Sequence, residues 1–127
     1  MRFLLDTQTV VLWLKDAGLS PKVRRTLRRT GIELWVSIVT PWEIVLKPQL
    51  RRTGLTLDRL WFGVEQLEAE LLPIRKEHIV GLAELPSHAD HRDPFDRILV
   101  AQALSENLTL VGADTRFQLY HGLKVLW

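Results

Sequence analysis

Short apolar runs alternate along the chain with segments of helical periodicity. The first run, Arg2–Leu5, stops at Asp6 and predicts a buried strand with a carboxylate at its C-terminal end. Residues 32–39 alternate and are rich in β-branched side chains, which predicts a second strand. Shorter apolar runs predict three more strands, at 71–74, 108–111 and 123–126.

Helices are predicted between these strands. Ser20-Pro21 and Thr40-Pro41 each place an N-capping residue before a proline, which is typical of a helix start, and Gly18 ends an earlier helix. Helical spacing or boundaries also predict helices at 21–29, 57–70, 76–85, 96–106 and 114–119, with a polar loop at 86–95. This alternation predicts an α/β fold in a single domain, 1–127, with a central parallel sheet of four to five strands and helices on both faces.

Composition narrows the possible chemistry. The 127 residues carry a net charge of only +2 and are 46% hydrophobic, as is ordinary for a folded domain. The chain has no cysteine, which excludes disulfides, cysteine-ligated metals and cysteine nucleophiles. No apolar run reaches about 18 residues and the start lacks a signal-peptide pattern, so we expect a cytoplasmic protein without membrane association.

Four carboxylates fall near the predicted C-terminal ends of strands. Asp6 ends the first strand, Glu43 lies in the first turn of the helix after the second, Asp96 begins the helix after the 86–95 loop, and Asp114 follows the fourth strand. Ligands of open parallel sheets bind at this edge, so we expect the four side chains to converge. A single acid in a helix first turn is more often structural, and Asp114 could be an N-cap. The joint placement favours a site.

Converging carboxylates favour a divalent metal ion. Two of them about 5 Å apart repel by about 3 kcal/mol at an effective dielectric constant near 20. A bound cation removes this repulsion, and all-oxygen ligands without cysteine or clustered histidine suit Mg²⁺ or Mn²⁺. Such a centre favours metal-assisted hydrolysis of a phosphodiester bond.

The same acids lie in four segments that form a familiar pattern. They are Leu4-Leu5-Asp6-Thr7; Pro41-Trp42-Glu43-Ile44 with Lys47; His91-Arg92-Asp93-Pro94-Phe95-Asp96-Arg97 with Ala101-Gln102-Ala103; and Leu110-Val111-Gly112-Ala113-Asp114. In these segments the chain resembles a PIN-domain ribonuclease, and more narrowly the VapC-type toxins of bacterial toxin–antitoxin pairs. The resemblance extends nearly to the C-terminus, and the block from His91 to Ala103 is its most specific part.

The resemblance implies an endoribonuclease that depends on Mg²⁺ or Mn²⁺. By motif position, Asp6 and Asp96 would be the main metal ligands, Glu43 would complete the acidic site, and Asp114 would act in its outer part. The supporting residues would be Thr7 and Asp93. The resemblance also implies an RNA substrate, a separately encoded antitoxin as partner, and a homodimer.

Two positions depart from the family pattern. Relatives usually carry serine or threonine where this chain has Gly112, and many have histidine where Gln8 stands. A hydroxyl that would bond to the acidic cluster is therefore missing. Neither change removes a carboxylate, so we expect the metal site to be retained.

Three other groups of residues have alternative interpretations. His88 and His91 could bind a transition metal together with Asp90 and Asp93, but we favour a solvent-exposed loop, because His-x-x-His on a loop lacks the helical geometry of a zinc-protease motif. Trp42 could stack on a base, although burial against the sheet is favoured. The candidates for RNA contact are Arg51, Arg52 and Arg97, and an ion pair with an acid is the alternative for Arg97.

Competing functions fit the sequence less well. A haloacid-dehalogenase-type phosphatase also has Asp at the end of its first strand, but it needs a second Asp where this chain has Gln8. A receiver module needs a phosphoacceptor Asp after a central strand, and Leu72-Pro73-Ile74 supplies none. A catalytically weak or silent RNA-binding relative is the remaining alternative. The sequence does not identify the RNA, the cleavage site or the number of metal ions.

Overall fold

A single parallel sheet organises the chain, for which a computed structural model describes residues 1–127. Its strands are β1 (Arg2–Leu5), β2 (Glu33–Ser37), β3 (Glu70–Leu72), β4 (Thr109–Val111) and β5 (Val125–Leu126). Their order across the sheet is β3-β2-β1-β4-β5, and every neighbouring pair is parallel. The central strand β1 therefore lies between the two strands whose following segments carry Glu43 and Asp114.

Seven α-helices and a short 3₁₀ helix surround the sheet. The α-helices are α1 (Thr7–Lys15), α2 (Pro21–Leu27), α3 (Val39–Leu46), α4 (Pro48–Arg51), α5 (Leu57–Gln66), α6 (Lys76–Glu84) and α7 (Pro94–Ser105). The 3₁₀ helix spans Thr115–Leu119. None of these helices has both the length and the apolar character needed to cross a membrane.

The side chains of β1 alternate between two hydrophobic cores. Phe3 and Leu5 pack into a cluster with residues of α1, α2 and α5, whereas Leu4 packs into a second cluster with residues of α7. All three side chains are buried, which explains why this strand has a continuous apolar run instead of a polar–apolar alternation. The predicted α/β architecture, with a parallel sheet covered on both faces, is confirmed.

Several predicted bounds differ from the structure: the third strand is Glu70–Leu72 instead of 71–74, the fifth is Val125–Leu126 instead of 123–126, and α5 ends at Gln66 instead of residue 70. The start of α3 matters most for the site. The second strand ends at Ser37 instead of residue 39, because the Ser37 hydroxyl accepts a hydrogen bond from the Val39 amide and starts α3 there. Thr40 is consequently not the N-cap of this helix, and its hydroxyl contacts the Thr7 hydroxyl at 3.0 Å. Glu43 therefore lies in the second turn of α3, not the first.

Candidate metal centre

The four carboxylates predicted to converge do line one cleft. The cleft lies at the C-terminal edge of the sheet and has a volume of about 240 Å³. Its walls are Asp6, Thr7, Gln8, Glu43, Leu50, Asp96, Ala113 and Asp114. These residues come from the segments that follow β1, β2 and β4 and from the first turn of α7, so the sheet and its crossover connections bring them together.

Asp6 is fixed by the backbone on both sides. Its amide donates a hydrogen bond to the Val111 carbonyl across the β1–β4 pair, and its carboxylate caps α1 by accepting one from the Thr9 amide at 2.7 Å. The side chain is 5% exposed. Burial, supported by the nearby charges of Glu43 and Asp114, raises the pKa of Asp6 to about 6.

Gly112 makes the room that Asp6 occupies. A Cβ atom at this position would lie 2.5 Å from Asp6 Oδ2 and 2.8 Å from a ring carbon of the fully buried Phe117. A serine or threonine would therefore displace the Asp6 carboxylate or the Phe117 ring. Gly112, where the family pattern usually has serine or threonine, therefore leaves the space that Asp6 Oδ2 and the Phe117 ring occupy just after β4.

Lys47 joins two acids on one side of the cleft. Its Nζ donates hydrogen bonds to Glu43 Oε2 at 2.6 Å and to Asp93 Oδ2 at 2.8 Å. The other oxygen of Glu43, Oε1, is buried and has no hydrogen-bond partner. Lys47 thereby fixes the orientation of the Glu43 carboxylate and leaves one of its oxygens available for a ligand.

Asp93 orients the first turn of α7. Its Oδ1 accepts hydrogen bonds from the amides of Phe95 and Asp96, so it is the N-cap of the helix that carries Asp96. Burial raises the pKa of Asp93, but the hydrogen bonds from Lys47 and these amides together outweigh burial and hold that pKa below its ordinary value. Asp93 therefore supports Asp96 through the backbone of α7.

Asp96 carries the most strongly perturbed carboxyl group of the cleft. Burial, followed by the charges of Asp93, Glu43 and Asp6, raises its pKa to about 7. Lys47 acts in the opposite direction but does not compensate. Without a further cation, Asp96 is therefore protonated in a large fraction of molecules at neutral pH.

Asp114 lies on the opposite side of the cleft and is paired with Arg116. The Arg116 Nε lies 2.9 Å from Asp114 Oδ1, and the Arg116 amide donates to the same oxygen. Arg116 Nη1 also donates to the Asp90 carbonyl at 2.7 Å. Hydrogen bonding to Arg116 holds the pKa of Asp114 below its ordinary value, so this acid stays ionised.

The remaining residues singled out in the sequence lie around this cleft in different ways. Thr7 lines it, although its hydroxyl contacts Thr40 rather than an acid. Arg51 and Arg52 are exposed at the end of α4, whose Leu50 is part of the wall. Arg97 is engaged elsewhere: its guanidinium donates hydrogen bonds to the Pro86 carbonyl at 3.0 Å and to Tyr120 Oη at 3.2 Å.

The sequence did not predict that His91 is buried next to Asp96. We expected a solvent-exposed loop, but His91 is only 1% exposed because its ring packs edge-on against Phe117 and Tyr120. Its Nδ1 lies 2.6 Å from Tyr120 Oη, and its Nε2 lies 3.5 Å from Asp96 Oδ2. No sequence-local signal reveals this burial, since Phe117 and Tyr120 are distant along the chain.

Trp42 also differs from expectation. It was predicted to be buried against the sheet, but it is 53% exposed and contacts the Phe95 ring edge-on. Phe95 adjoins Asp96, so this aromatic pair lies near the acidic cleft.

The donor set fits a divalent metal ion of the hard class. Burial, together with the charges of neighbouring acids, raises the pKa values of Asp6 and Asp96, and Glu43, which lines the same cleft, has a buried Oε1 without a hydrogen-bond partner. Mg²⁺ and Mn²⁺ prefer oxygen ligands of this kind. The arrangement can therefore hold such an ion and present it to an anionic substrate.

Comparison with known proteins gives a family match and several structural similarities. A family model described as PIN domain matches residues 3–123, whereas no curated protein matches the sequence. The fold is similar to a chain of DNA-bound VapBC2 from Rickettsia felis, with a TM-score of 0.75, 15% identity, and coverage of 100% of this chain and 99% of that one.

Two further structures are similar over almost the whole chain. A chain of DNA-bound VapBC from Salmonella typhimurium aligns with a TM-score of 0.68 and 18% identity, over 99% of this chain and 97% of that one. A chain of FitAcB from Neisseria gonorrhoeae aligns with a TM-score of 0.66 and 18% identity, over 98% and 96%. At these identities the similarity establishes a shared fold.

Substitution of Gly112 tests the close approach of Asp6. We expect Gly112→Ala to lower the free energy of unfolding by about 1–3 kcal/mol, because the added methyl group overlaps Asp6 and Phe117. Gly81→Ala is the matched control: its Cβ would meet nothing closer than 3.9 Å in α6, so we expect a gain of about 0.5–1 kcal/mol. Urea denaturation measures both. Equal effects of the two substitutions would contradict the proposed steric conflict.

The raised pKa values predict how stability depends on pH in the absence of divalent metal. Because the folded state binds the Asp6 proton more tightly than the unfolded state does, the stability contributed by this proton is complete below about pH 4 and is lost as pH rises through about 6. We therefore expect the free energy of unfolding of Asp6→Asn, relative to the original protein, to increase from pH 4 to pH 7 in EDTA. The lowered pKa of buried His91 acts in the opposite sense, but it is common to both proteins and cancels in this difference. A difference independent of pH would disprove the shift.

Proposed function

The chain belongs to the PIN-domain family of nucleases, and on this premise we propose that it is a metal-dependent endoribonuclease that acts as the toxin of a toxin–antitoxin pair. The observation that carries the proposal is the convergence of Asp6, Glu43, Asp96 and Asp114 on one cleft. Carboxylates gathered in this way are suited to a divalent cation, and a bound cation assists hydrolysis of an anionic phosphodiester.

Each acid has a separate role in this proposal. Asp6 and Asp96 hold Mg²⁺ or Mn²⁺, because their carboxylates are the ones whose charge the surrounding cations do not balance. Asp114 remains ionised beside Arg116 and acts in the outer part of the centre. When bound, the metal ion supplies an activated water and stabilises the charge that develops on the scissile phosphate.

Glu43 orients the attacking water. Lys47 holds Glu43 Oε2, which leaves Oε1 as a fixed acceptor directed into the cleft. An acceptor in this position can receive a hydrogen bond from a water molecule and take its proton as the water oxygen bonds to phosphorus. The bond from phosphorus to the departing ribose oxygen breaks, and that oxygen is protonated from solvent. Lys47 is thus a positioning residue: it sets the geometry of Glu43 and, through Asp93, that of α7.

Exposed groups around the cleft are suited to RNA. Arg51 and Arg52 project from the end of α4 beside the wall residue Leu50 and can pair with phosphates on either side of the scissile bond. Trp42 presents half of its ring surface to solvent and can stack on an unpaired base. Arg97, which bonds to the 85–86 segment and Tyr120, is a weaker candidate for this contact.

The partner proposed is an antitoxin protein. The structures similar in fold include VapBC complexes and a FitAcB structure, which supports a toxin that is inhibited by a second protein. An inhibitor of this kind would cover the acidic cleft. We further propose that the protein acts in the cytoplasm, where its RNA substrate occurs, and that it forms a homodimer, as the resemblance to VapC-type toxins implies.

Cleavage of RNA tests the proposed activity. We expect the purified protein to cleave RNA in Mg²⁺ or Mn²⁺, to lose activity in EDTA, and to lose at least about 100-fold in rate when Asp96→Asn removes a metal ligand. Asp58→Asn is a matched control, because Asp58 is an exposed carboxylate in the first turn of another helix, α5. Cleavage that persists in EDTA, or in a folded Asp96→Asn protein, would exclude the metal mechanism.

Expression in a bacterial host tests the toxin role separately. We expect induction of the protein without an antitoxin to arrest growth, and we expect Asp96→Asn at the same soluble level to be harmless. Growth is followed by optical density and viable counts, with Asp58→Asn again as the control. Normal growth despite abundant soluble protein with RNase activity in vitro would contradict toxicity but not the nuclease assignment.

A further inference from the structure

The buried imidazole of His91 does not line the acidic cleft, but it lies close to Asp96 and Asp114, two of the acids that do. The Nε2 atom of His91 has no hydrogen-bond partner although the residue is 1% exposed. Its distance of 3.5 Å from Asp96 Oδ2 is too long for a good hydrogen bond. A buried polar atom without a partner is costly, so this arrangement calls for a ligand that the protein atoms do not supply.

The other ring nitrogen of His91, Nδ1, is hydrogen-bonded to an oxygen, as is usual for a histidine that binds a metal ion through its second nitrogen. Nδ1 lies 2.6 Å from Tyr120 Oη, and Arg97 Nη1 lies 3.2 Å from the same oxygen. Histidines that bind metals usually donate their second N–H to an oxygen acceptor, which fixes the ring orientation and leaves the first nitrogen free to ligate. In the tautomer in which Nδ1–H donates to Tyr120 Oη, the Nε2 atom that lies 3.5 Å from Asp96 Oδ2 carries a lone pair.

The spacing of the donor atoms fits one ion. His91, Asp96 and Asp114 each offer an atom, and the three atoms lie within 4.8 Å of one another. Two neighbouring donors about 2.1 Å from an octahedral ion are about 3.0 Å apart, so the 3.5 Å between His91 Nε2 and Asp96 Oδ2 differs from this spacing by only about 0.5 Å. No motion of the backbone is needed to bring this pair into ligating distance.

We propose that His91, Asp96 and Asp114 form a mixed nitrogen–oxygen subsite that takes a divalent transition-metal ion such as Mn²⁺ in preference to Mg²⁺. The proposal rests on the proposed function in one respect, since Asp96 is also a ligand of the carboxylate centre with Asp6. An imidazole ligand distinguishes the two subsites, because nitrogen donors favour transition metals whereas Mg²⁺ favours oxygen donors alone.

The charges around the subsite predict that it binds a metal ion more weakly than the Asp6 side of the cleft does. Asp114 is ionised but shares its carboxylate with Arg116, whose positive charge offsets part of the attraction for a cation. The amide, Nε and Nη2 of Arg116 all donate to this carboxylate, so a metal ion binds Asp114 in competition with Arg116. We therefore expect this subsite to fill after the Asp6 side of the cleft.

Mn²⁺ serves as the probe, because its bound form can be examined without any activity measurement. The protein is titrated with Mn²⁺, the free ion is counted from its EPR signal, and electron spin echo modulation then detects nitrogen coupled to the bound ion. We expect ¹⁴N modulation at saturation, replaced by a ¹⁵N pattern when the protein carries ¹⁵N-labelled histidine. An excess of Mg²⁺ should displace Mn²⁺ from the carboxylate centre with Asp6 but should leave the nitrogen modulation unchanged.

Variants assign the coupled nitrogen to one histidine. His91→Gln should abolish the modulation and weaken the second Mn²⁺ binding event by about tenfold or more, whereas the exposed His121→Gln should change neither. If His91→Gln does not fold, the assignment is made by elimination. The modulation is measured in the original protein labelled with ¹⁵N-histidine and in His88→Gln and His121→Gln, and its persistence in both variants excludes those two histidines. The remaining histidine, His78, has both ring nitrogens in contacts with Arg75 and Glu106.

The outcomes separate this proposal from the proposed function. Mn²⁺ binding that is lost in Asp6→Asn but shows no histidine modulation in the original protein would overturn the His91 subsite and leave the carboxylate centre intact. Modulation that survives in a folded His91→Gln protein would also overturn it. Absence of any Mn²⁺ binding would contradict both the subsite and the metal-dependent nuclease.

Discussion

Electrostatic repulsion among carboxylates in one small cleft is the constraint on which the candidate site depends. Asp6, Glu43, Asp96 and Asp114 line a volume of about 240 Å³, and Asp93 lies just behind them. Side chains alone would turn away from one another to reduce this repulsion. The fold prevents that by attaching them to rigid parts of the backbone: Asp6 caps α1 and is hydrogen-bonded to β4, while Asp93 caps the helix that carries Asp96.

Two cationic side chains, Lys47 and Arg116, pair with acids at the two sides of the cleft and leave the acids between them without a direct cationic partner. Lys47 is shared between Glu43 and Asp93 on one side, and Arg116 is paired with Asp114 on the other. Neither cation compensates Asp6 or Asp96, whose pKa values are raised to about 6 and about 7. The protein therefore stabilises the outer acids with its own side chains and leaves the middle pair for a cation from solution. The net charge of +2 conceals this local concentration of negative charge.

The sequence predicted the parts of the structure that depend on neighbouring residues. Apolar runs such as Arg2–Leu5 and the proline-marked start of α2 are local signals, so the order of strands and helices could be inferred, and parallel pairing then placed the acids at one edge. Contacts between distant segments could not be inferred. The burial of His91 depends on Phe117 and Tyr120, and the role of Gly112 depends on Asp6 and Phe117.

Local hydrogen bonds explain why the predicted start of α3 differs from the observed one. Thr40-Pro41 is a good helix-start pattern, but α3 already begins at Val39, whose amide donates to the Ser37 hydroxyl, and the Thr40 hydroxyl contacts Thr7 instead. Thr7 directly follows Asp6, and Thr40 lies one turn before Glu43 on α3, so this buried contact ties the segments that carry two of the acids. The result is a carboxylate pair whose separation is set by the packing of β1 and β2. Because this packing holds Asp6 beside Glu43, the negative charge at the cleft is not relieved by movement. In the absence of metal, burial and the neighbouring acids favour the protonated forms of Asp6 and Asp96. Metal binding at this site is consequently coupled to proton release, since the same oxygens hold one or the other.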